Sequence, residues 1–477
     1  MTRAARAPLL LAAAAVALPS ALVPVVSGAG GPRGVNTWDS LPNIASEADV
    51  LRFAAYMRDV LLPFGYDTLT VDGGWYGNAD GSMSLDAYGR PYPSRALFPS
   101  SADGRGLKSL AEKVNAMGVK LGAWTIRGLP RAAVEANLPI WGSAFRARDA
   151  ASLERNCSWD AQIFGTNAPS AAASAWYESV AQVYLDYGLE WVKIDCMWPG
   201  APGAQRFDED VAAFATAFSS RAPAMPISWS PGDGMLPANG SWIASHKGAF
   251  GVMYRVTPDF HDNSWARLKA HLAVAVVYAP LIGLGGTYPD LDMLPLGNQS
   301  RGGSSTSPCL FSRDEQRLIM SLWTITRAPL LIGAVLPLDP GDTWTLSLLT
   351  NPAVLAVQNG THDNLPAALA LPPGQDPTTL YAWQAAYDSS ATYVAVALFN
   401  AQDSSATVGT AVSGGGCATN LWTGASEGAL AAGGVLSRTL PPHGSGLWAV
   451  TPTCEEAARV PGVVEARERM RALGVGA

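Results

Sequence analysis

Acidic side chains recur in this sequence directly after short apolar, β-branched runs, together with Lys, Arg and Trp. Asp72 and Trp75 follow 67–71. Trp124 ends 120–124, with Arg127 just beyond. Lys193, Asp195 and Cys196 close 191–194, and Ser228 and Ser230 close 226–230. Arg255 ends 252–255 with Asp259 four residues later, and Asp290 and Asp292 follow a run at 281–284. One acid after a strand is ordinary, because loops are polar. Acids after four strands exceed what loop composition supplies. Two carboxylates facing one bond can cleave it: one, ionised, attacks, and the other, protonated, releases the leaving group. The blander reading of Asp195 is a structural salt bridge, and of Asp259 a loop-capping acid. Residue types alone favour that reading.

Other chemistries find less support. The five His show neither HxH nor HExxH spacing, so no metal site is expected. Gly283–Gly286 is Gly-rich but lacks GxGxxG spacing at a helix start, so no dinucleotide cofactor is expected, and no other cofactor is implied. Lys193 at a strand end could form a Schiff base in an aldolase, but no phosphate-binding loop accompanies it. Carboxylates, Arg, Lys and Trp together suit a neutral polyol such as a sugar. Most of the 16 Trp are expected in the core, a few as stacking faces for a sugar ring.

The elements that position these residues alternate. Eight β-like runs, at 34–36, 67–71, 120–124, 191–194, 226–230, 252–255, 281–284 and 330–332, are separated by amphipathic stretches such as 47–61, 107–117, 175–187 and 314–324. This predicts a (β/α)8 TIM barrel over 30–360, with functional side chains at the C-terminal ends of its strands. Alternating runs at 379–384, 393–400, 407–412, 434–440 and 445–450 predict a C-terminal antiparallel β-sandwich over 361–454. A charged tail, 455–477, follows, with a short exposed helix near 465–471.

Residues 1–29 carry Arg3 and Arg6, an apolar stretch and a small-residue end, the pattern of a secretory signal peptide. An extracellular, cell-wall, vacuolar or lysosomal destination is expected, with no membrane association after cleavage. Sequons at Asn156, Asn239, Asn298 and Asn359 fit that route. With 48% hydrophobic and 15% charged residues the chain is not disordered, and a net charge of −7 makes nucleic acid a poor partner.

Seven stretches in order carry a resemblance: Gly34-Val-Asn-Thr-Trp38, Val71-Asp-Gly-Gly-Trp75, Lys120-Leu-Gly-Ala-Trp124, Val192-Lys-Ile-Asp-Cys196, Arg255-Val-Thr-Pro-Asp259, Tyr288-Pro-Asp-Leu-Asp-Met-Leu294 and Arg327-Ala-Pro-Leu-Leu331. Over roughly 34–359 the chain resembles the melibiase-type retaining α-galactosidases of glycoside hydrolase family 27, clan D. The resemblance implies Asp195 as nucleophile and Asp259 as general acid/base. Trp38, Asp72, Trp75, Trp124, Lys193, Ser228, Arg255 and Asp292 are then expected to bind substrate, a galactose- or arabinopyranose-bearing glycan. A retaining pair requires carboxyl groups about 5–5.5 Å apart.

Three departures stand out. The family's two acids before the Gly/Cys-Trp become Asp72-Gly73, its third-strand Tyr is Trp124, and its Cys-Glu-Trp after the fifth strand is Ser228-Trp229-Ser230-Pro231. The resemblance implies that the acid pair holds the C4 and C6 hydroxyls, so Gly73 brings in β-L-arabinopyranosides, which lack C6. A sugar-binding protein with a decayed site is the competing reading, and the presence of both acids opposes it. Of the five Cys, Cys157 is expected to pair with Cys196 and Cys417 with Cys454, leaving Cys309 as a thiol.

Overall fold

A computed structural model describes residues 30–475, except 198–206, 222–224, 232–251, 263, 301–304, 388, 390, 414–415 and 431–433. The expected signal segment and the Asn239 sequon lie outside the described residues.

Eight parallel strands form one curved sheet. They are β1 Arg33–Asn36, β2 Thr68–Val71, β3 Lys120–Ile126, β4 Trp191–Asp195, β5 Ile227–Ser230, β6 Met253–Arg255, β7 Tyr288–Asp290 and β8 Leu330–Ile332. Neighbours in sequence are neighbours in the sheet, and β1 also pairs with β8. Closure between β7 and β8 comes just past β7, where Leu294 N–H donates to Leu331 O (2.7 Å) and Gly333 N–H donates to Leu294 O (2.9 Å). The fold is therefore the (β/α)8 barrel that the alternation predicts.

The seventh strand is not where the apolar run 281–284 suggests. That stretch forms short 3-10 turns, Ala279–Leu281 and Leu284–Gly286. Gly283, Gly285 and Gly286 all adopt positive φ, which an extended strand does not use. The strand is Tyr288–Asp290, so Asp290 lies within it and Asp292 just beyond.

The helices pack outside the sheet: α1 Glu47–Tyr56, α2 Lys108–Asn115, α3 Ala171–Asp186, α4 Asp208–Arg221, α5 Trp265–Tyr278 and α6 Arg313–Ile325, then α7 Pro352–Gly360 after β8. Ser46 and Ser312 start α1 and α6 through capping boxes with Asp49 and Glu315. Below the barrel, Arg33 donates to Gln358 Oε1 (2.8 Å) and to the carbonyls of Phe64 (2.8 Å) and Leu355 (2.6 Å). Gln358 in turn donates to Gly31 O (2.7 Å) and Ala328 O (2.9 Å), so buried polar atoms at the two chain ends of the barrel satisfy each other.

Beyond α7 lie a six-stranded antiparallel sheet and a two-stranded one, Ala406–Ala411 with Val435–Leu440. The strand Val394–Asn400 is buried along its whole length. Val394, Val396 and Leu398 face the sandwich core, whereas Ala395, Ala397 and Phe399 join the barrel core. The period-2 alternation of a strand thus lets one sheet seal two cores, so side chains on both faces of this strand are apolar where the alternating pattern would leave one face polar. His362–Pro366, Cys417–Asn420 and Ser426–Ala429 are further strands that no alternating run announces. Disulfides join Cys157 to Cys196 and Cys417 to Cys454.

The tail is more than an exposed charged segment. A 3-10 turn, Glu455–Arg459, leads into α8, Val463–Ala472, whose Val463, Ala466 and Met470 are buried. Arg469 donates to Thr350 Oγ1 (2.7 Å), and the Arg467 guanidinium donates to Gly424 O (2.5 Å and 3.1 Å). The charges cover the outer face and the apolar residues the inner one. Ala466→Glu is expected to strand a carboxylate in this contact at a cost of about 2–4 kcal/mol. Thermal unfolding should show a midpoint several degrees lower; an unchanged midpoint would mean that α8 adds nothing to stability.

Candidate active site

Nearly all the candidate residues meet at the C-terminal mouth of the barrel, because parallel register sets them side by side. Trp124 pairs with Lys193, Ile126 with Asp195, Lys193 with Ser228 and Asp195 with Ser230. Ser228 and Ser230 are buried next to β4.

Asp195 ends β4. Its Oδ2 accepts the Trp124 indole N–H (3.0 Å) and its Oδ1 the Cys196 backbone N–H (2.7 Å). The turn that follows is held on three sides. Cys196 sits at φ 58°, a conformation ordinary side chains avoid. Its disulfide ties it to Cys157, and its carbonyl accepts Arg127 Nε–H (2.8 Å). The Arg127 backbone N–H also donates to Asp195 O (3.0 Å). Burial raises the Asp195 carboxyl above its ordinary range, while the Lys193 charge and the two N–H donors pull it down.

Lys193 lies behind Asp195, and its ammonium donates to Asp72 Oδ2 (2.7 Å). Asn36 donates to the same oxygen (2.8 Å), and Gly73 N–H to Asp72 Oδ1 (2.8 Å). Burial alone would lower Lys193, but Asp72 and Asp195 hold it charged. A charged ammonium paired with a carboxylate is a poor nucleophile, which counts against the Schiff-base reading.

Arg255 organises the other side. It ends β6, is 3% exposed, and donates to Asp292 Oδ1 (2.6 Å), to Thr257 O (3.1 Å) and to Asp259. Asp292, at φ 81°, also accepts Phe260 N–H (2.7 Å) on Oδ2. Both its carboxylate oxygens are therefore occupied by protein donors, and it supports Arg255 from below. Asp259 differs: its side chain is 62% exposed and faces the opening. Burial pulls its carboxyl up, but Arg255 and Lys193 outweigh this and hold it below its ordinary range.

Among the aromatic residues, Trp38 is half-buried beside Gly73: a Cβ on Gly73 would stand 3.6 Å from Trp38 Cζ3 and 3.2 Å from Asn43 Oδ1. Trp75 is 1% exposed and donates its indole N–H to Trp124 O (2.9 Å), so it props Trp124 from behind the site. Sequence reasoning missed Tyr76, stacked on Trp124 (centroids 6.1 Å), and Trp159, an exposed indole 6.4 Å from the same ring. Position offered the only signals: Tyr76 follows Trp75, and Trp159 lies two residues past Cys157. It also missed Asp39 and His261, which approach each other at 3.1 Å, His261 standing two residues beyond Asp259. No group of three or more His, Cys, Asp or Glu among the described residues could hold a metal ion.

Two acids of opposite setting, one recessed between Lys193 and Trp124 and one exposed on Arg255, flank the mouth of a polar, aromatic-walled site. Trp124→Phe removes the indole donor but keeps an aromatic ring. A hydrogen bond to a charged group contributes about 1.5–3 kcal/mol, so kcat/KM is expected to fall about ten- to a hundredfold. Because the lost donor favoured the ionised form, the acid arm of the pH profile should move to higher pH. An unmoved arm would show that Trp124 does not set the state of Asp195.

No family profile matches the chain. It is 26% identical to an α-galactosidase of rice (Oryza sativa subsp. japonica) over 428 residues, 88% of this chain and 84% of the relative. Among solved structures, a family 27 β-L-arabinopyranosidase of Geobacillus stearothermophilus superposes with a TM-score of 0.81 at 30% identity, covering 89% of this chain and 98% of that one. A putative α-N-acetylgalactosaminidase of Bacillus halodurans superposes with a TM-score of 0.77 at 28% identity, covering 88% and 97%.

Proposed function

The chain belongs to glycoside hydrolase family 27, and we propose that it cleaves terminal α-D-galactopyranosyl residues, and β-L-arabinopyranosyl residues by the same machinery, with Asp195 as nucleophile and Asp259 as acid/base. The observation that carries this reading is the contrast between the two acids. Asp195 is recessed, with both oxygens aimed by N–H donors and Lys193 behind it; Asp259 is exposed at the opening.

In the first step an Asp195 oxygen bonds to the anomeric carbon as the bond to the leaving oxygen breaks, and Asp259 passes its proton to that oxygen. In the second, water attacks the anomeric carbon from the face the aglycone left. Asp259 takes the water proton, and the bond to Asp195 breaks. Lys193 favours the ionised Asp195 that attacks, and Arg255 holds Asp259 ionised in the free enzyme, so Asp259 takes its proton from solvent as the sugar binds. The Asp259 side chain can turn away from Arg255, and covering it with substrate beside ionised Asp195 favours the protonated form it needs.

Two variants with azide test the assignment together. Asp259→Ala keeps the nucleophile, so azide should enter where water did and give an α-galactosyl azide from an activated α-galactoside. Asp195→Gly opens the opposite face and should give the β-azide. Without azide, each loss should amount to several orders of magnitude on unactivated substrates. Products of the reverse configuration would exchange the two roles, and near wild-type rates would remove the residue concerned from the mechanism.

The arabinopyranoside reading rests on Gly73 and on the 30%-identical relative. A carboxylate–hydroxyl hydrogen bond contributes about 1.5–3 kcal/mol, so its absence at C6 should bring β-L-arabinopyranosides within about ten- to a hundredfold of α-galactosides, or ahead of them. Asp72 remains for the C4 hydroxyl, so α-glucosides should fail. Gly73→Asp should move preference toward galactose, because the exposed Asn43 amide can turn aside from the new side chain. A wild-type preference for α-galactosides of about a thousandfold or more would assign C6 recognition to another group.

A further inference from the structure

Asp39 is the most isolated acid at the barrel mouth. Its side chain is 1% exposed, and neither carboxylate oxygen has a hydrogen bond of good geometry. A carboxylate cannot stay buried and charged without compensation. The titratable group that approaches it is His261, whose Nδ1 lies 3.1 Å from Asp39 Oδ1 and which compensates it when protonated. His261 is 39% exposed and sits two residues beyond Asp259. Between them Phe260 is an anchor: it is fully buried, stacks on Trp323, and its N–H donates to Asp292 (2.7 Å). The backbone that carries Asp259 therefore also fixes His261.

We propose that His261, braced by Asp39, is a positioning residue for Asp259: a titratable cation held beside the acid/base that keeps it ionised in the free enzyme and restricts turnover on the alkaline side. The inference rests on Asp259 being the acid/base. Arg255 is permanently charged and supplies a constant field. His261 adds a field that depends on pH. The charged groups around it are Asp39 from the loop after β1, Asp292 beyond β7, Asp259 on its own segment, and Arg255 across Asp259. The close approach and the negative charge of Asp39 raise His261 above the ordinary imidazole value despite partial burial. In the other direction, the imidazolium adds to the cations that hold Asp259 down.

The test has a spectroscopic arm and a kinetic arm. Imidazole NMR titration of the wild type, with His261 assigned by His261→Gln, should show a pKa above 6.5, the ordinary value. Asp39→Asn should bring it back to that value or below. A wild-type value at or below 6.5 would overturn the pairing whatever the enzyme does. In kinetics, His261→Gln should move the alkaline arm of the kcat/KM profile up by about half to one pH unit, the effect of one charge across a few ångströms of screened space. At a fixed pH on that arm the variant should be about three to ten times faster than wild type, while the acid arm stays in place. Asp39→Asn should shift the same arm less, since it removes an anion together with the imidazole charge. A merely structural His261 would lower activity at every pH, and an unmoved alkaline arm would overturn the proposal. Azide trapping with Asp259→Ala judges the underlying assignment separately. If that assignment fails while the NMR shift stands, the dyad exists but does not act through an acid/base.

Discussion

Buried charge at the barrel mouth is the constraint on which the rest of this structure depends. Lys193 and Arg255 are almost fully buried, and neither could remain so without carboxylates in contact. Asp72 answers Lys193, and Asp292 answers Arg255 from below. Each supporting acid is itself held by further donors, Asp72 by Asn36 and Gly73 N–H and Asp292 by Phe260 N–H, and Asp72 Oδ1, with one donor, can still accept another. What is left over is directional. Each cation has a carboxylate fixed by the scaffold and exerts its remaining field on the two candidate acids, Lys193 on Asp195 and Asp259, and Arg255 on Asp259. The scaffold acids hold the cations in place, and the cations bias the two candidate acids toward their ionised forms.

Such a network functions only if the backbone is as rigid as the charges demand. The turn after Asp195 shows how that is met. Cys196 takes up a left-handed conformation, which a disulfide and the Arg127 side chain hold in place. Trp124 is backed in the same way: its carbonyl accepts from both Trp75 and Tyr184, and Tyr76 covers its face. Trp75 and Trp124, which a sugar-binding reading claims for the ligand, thus serve to hold Asp195 in place.

The C-terminal sheet contributes by closing the scaffold. Its central strand seals the barrel side with one set of side chains and the sandwich with the other. His443 crosses the junction, stacked 3.7 Å from Trp265 at the start of α5 and 2.8 Å from Glu315 in the capping box of α6. The same Glu315 therefore starts a barrel helix and binds the second sheet, which makes the two parts one mechanical unit at that point. α8 does the same below the barrel, with an apolar face inside and its arginines bonded to Thr350 and Gly424.

The sequence by itself determined the barrel, since alternation of strand and helix is a local property of side-chain period and leaves few architectures open. It also indicated the face at which the candidate residues gather, because strand C-termini share one face and Asp72, Asp195, Arg255 and Asp259 stand at them. Local pattern misled where backbone conformation overrode hydrophobicity: the run at 281–284 looks like a strand, yet three positive-φ glycines turn it into 3-10 structure. It was silent where an element owes its existence to a neighbour, as with the short strand Cys417–Asn420 or the docked helix Val463–Ala472. Only the tertiary structure decided which acids face outward and which support from beneath, that Trp75 stands behind Trp124, and that Asp39 meets His261 across 222 residues of chain (261 minus 39). Those outcomes depend on burial and on distances between remote segments. A residue's type and its place along the chain do not contain them until the barrel has closed.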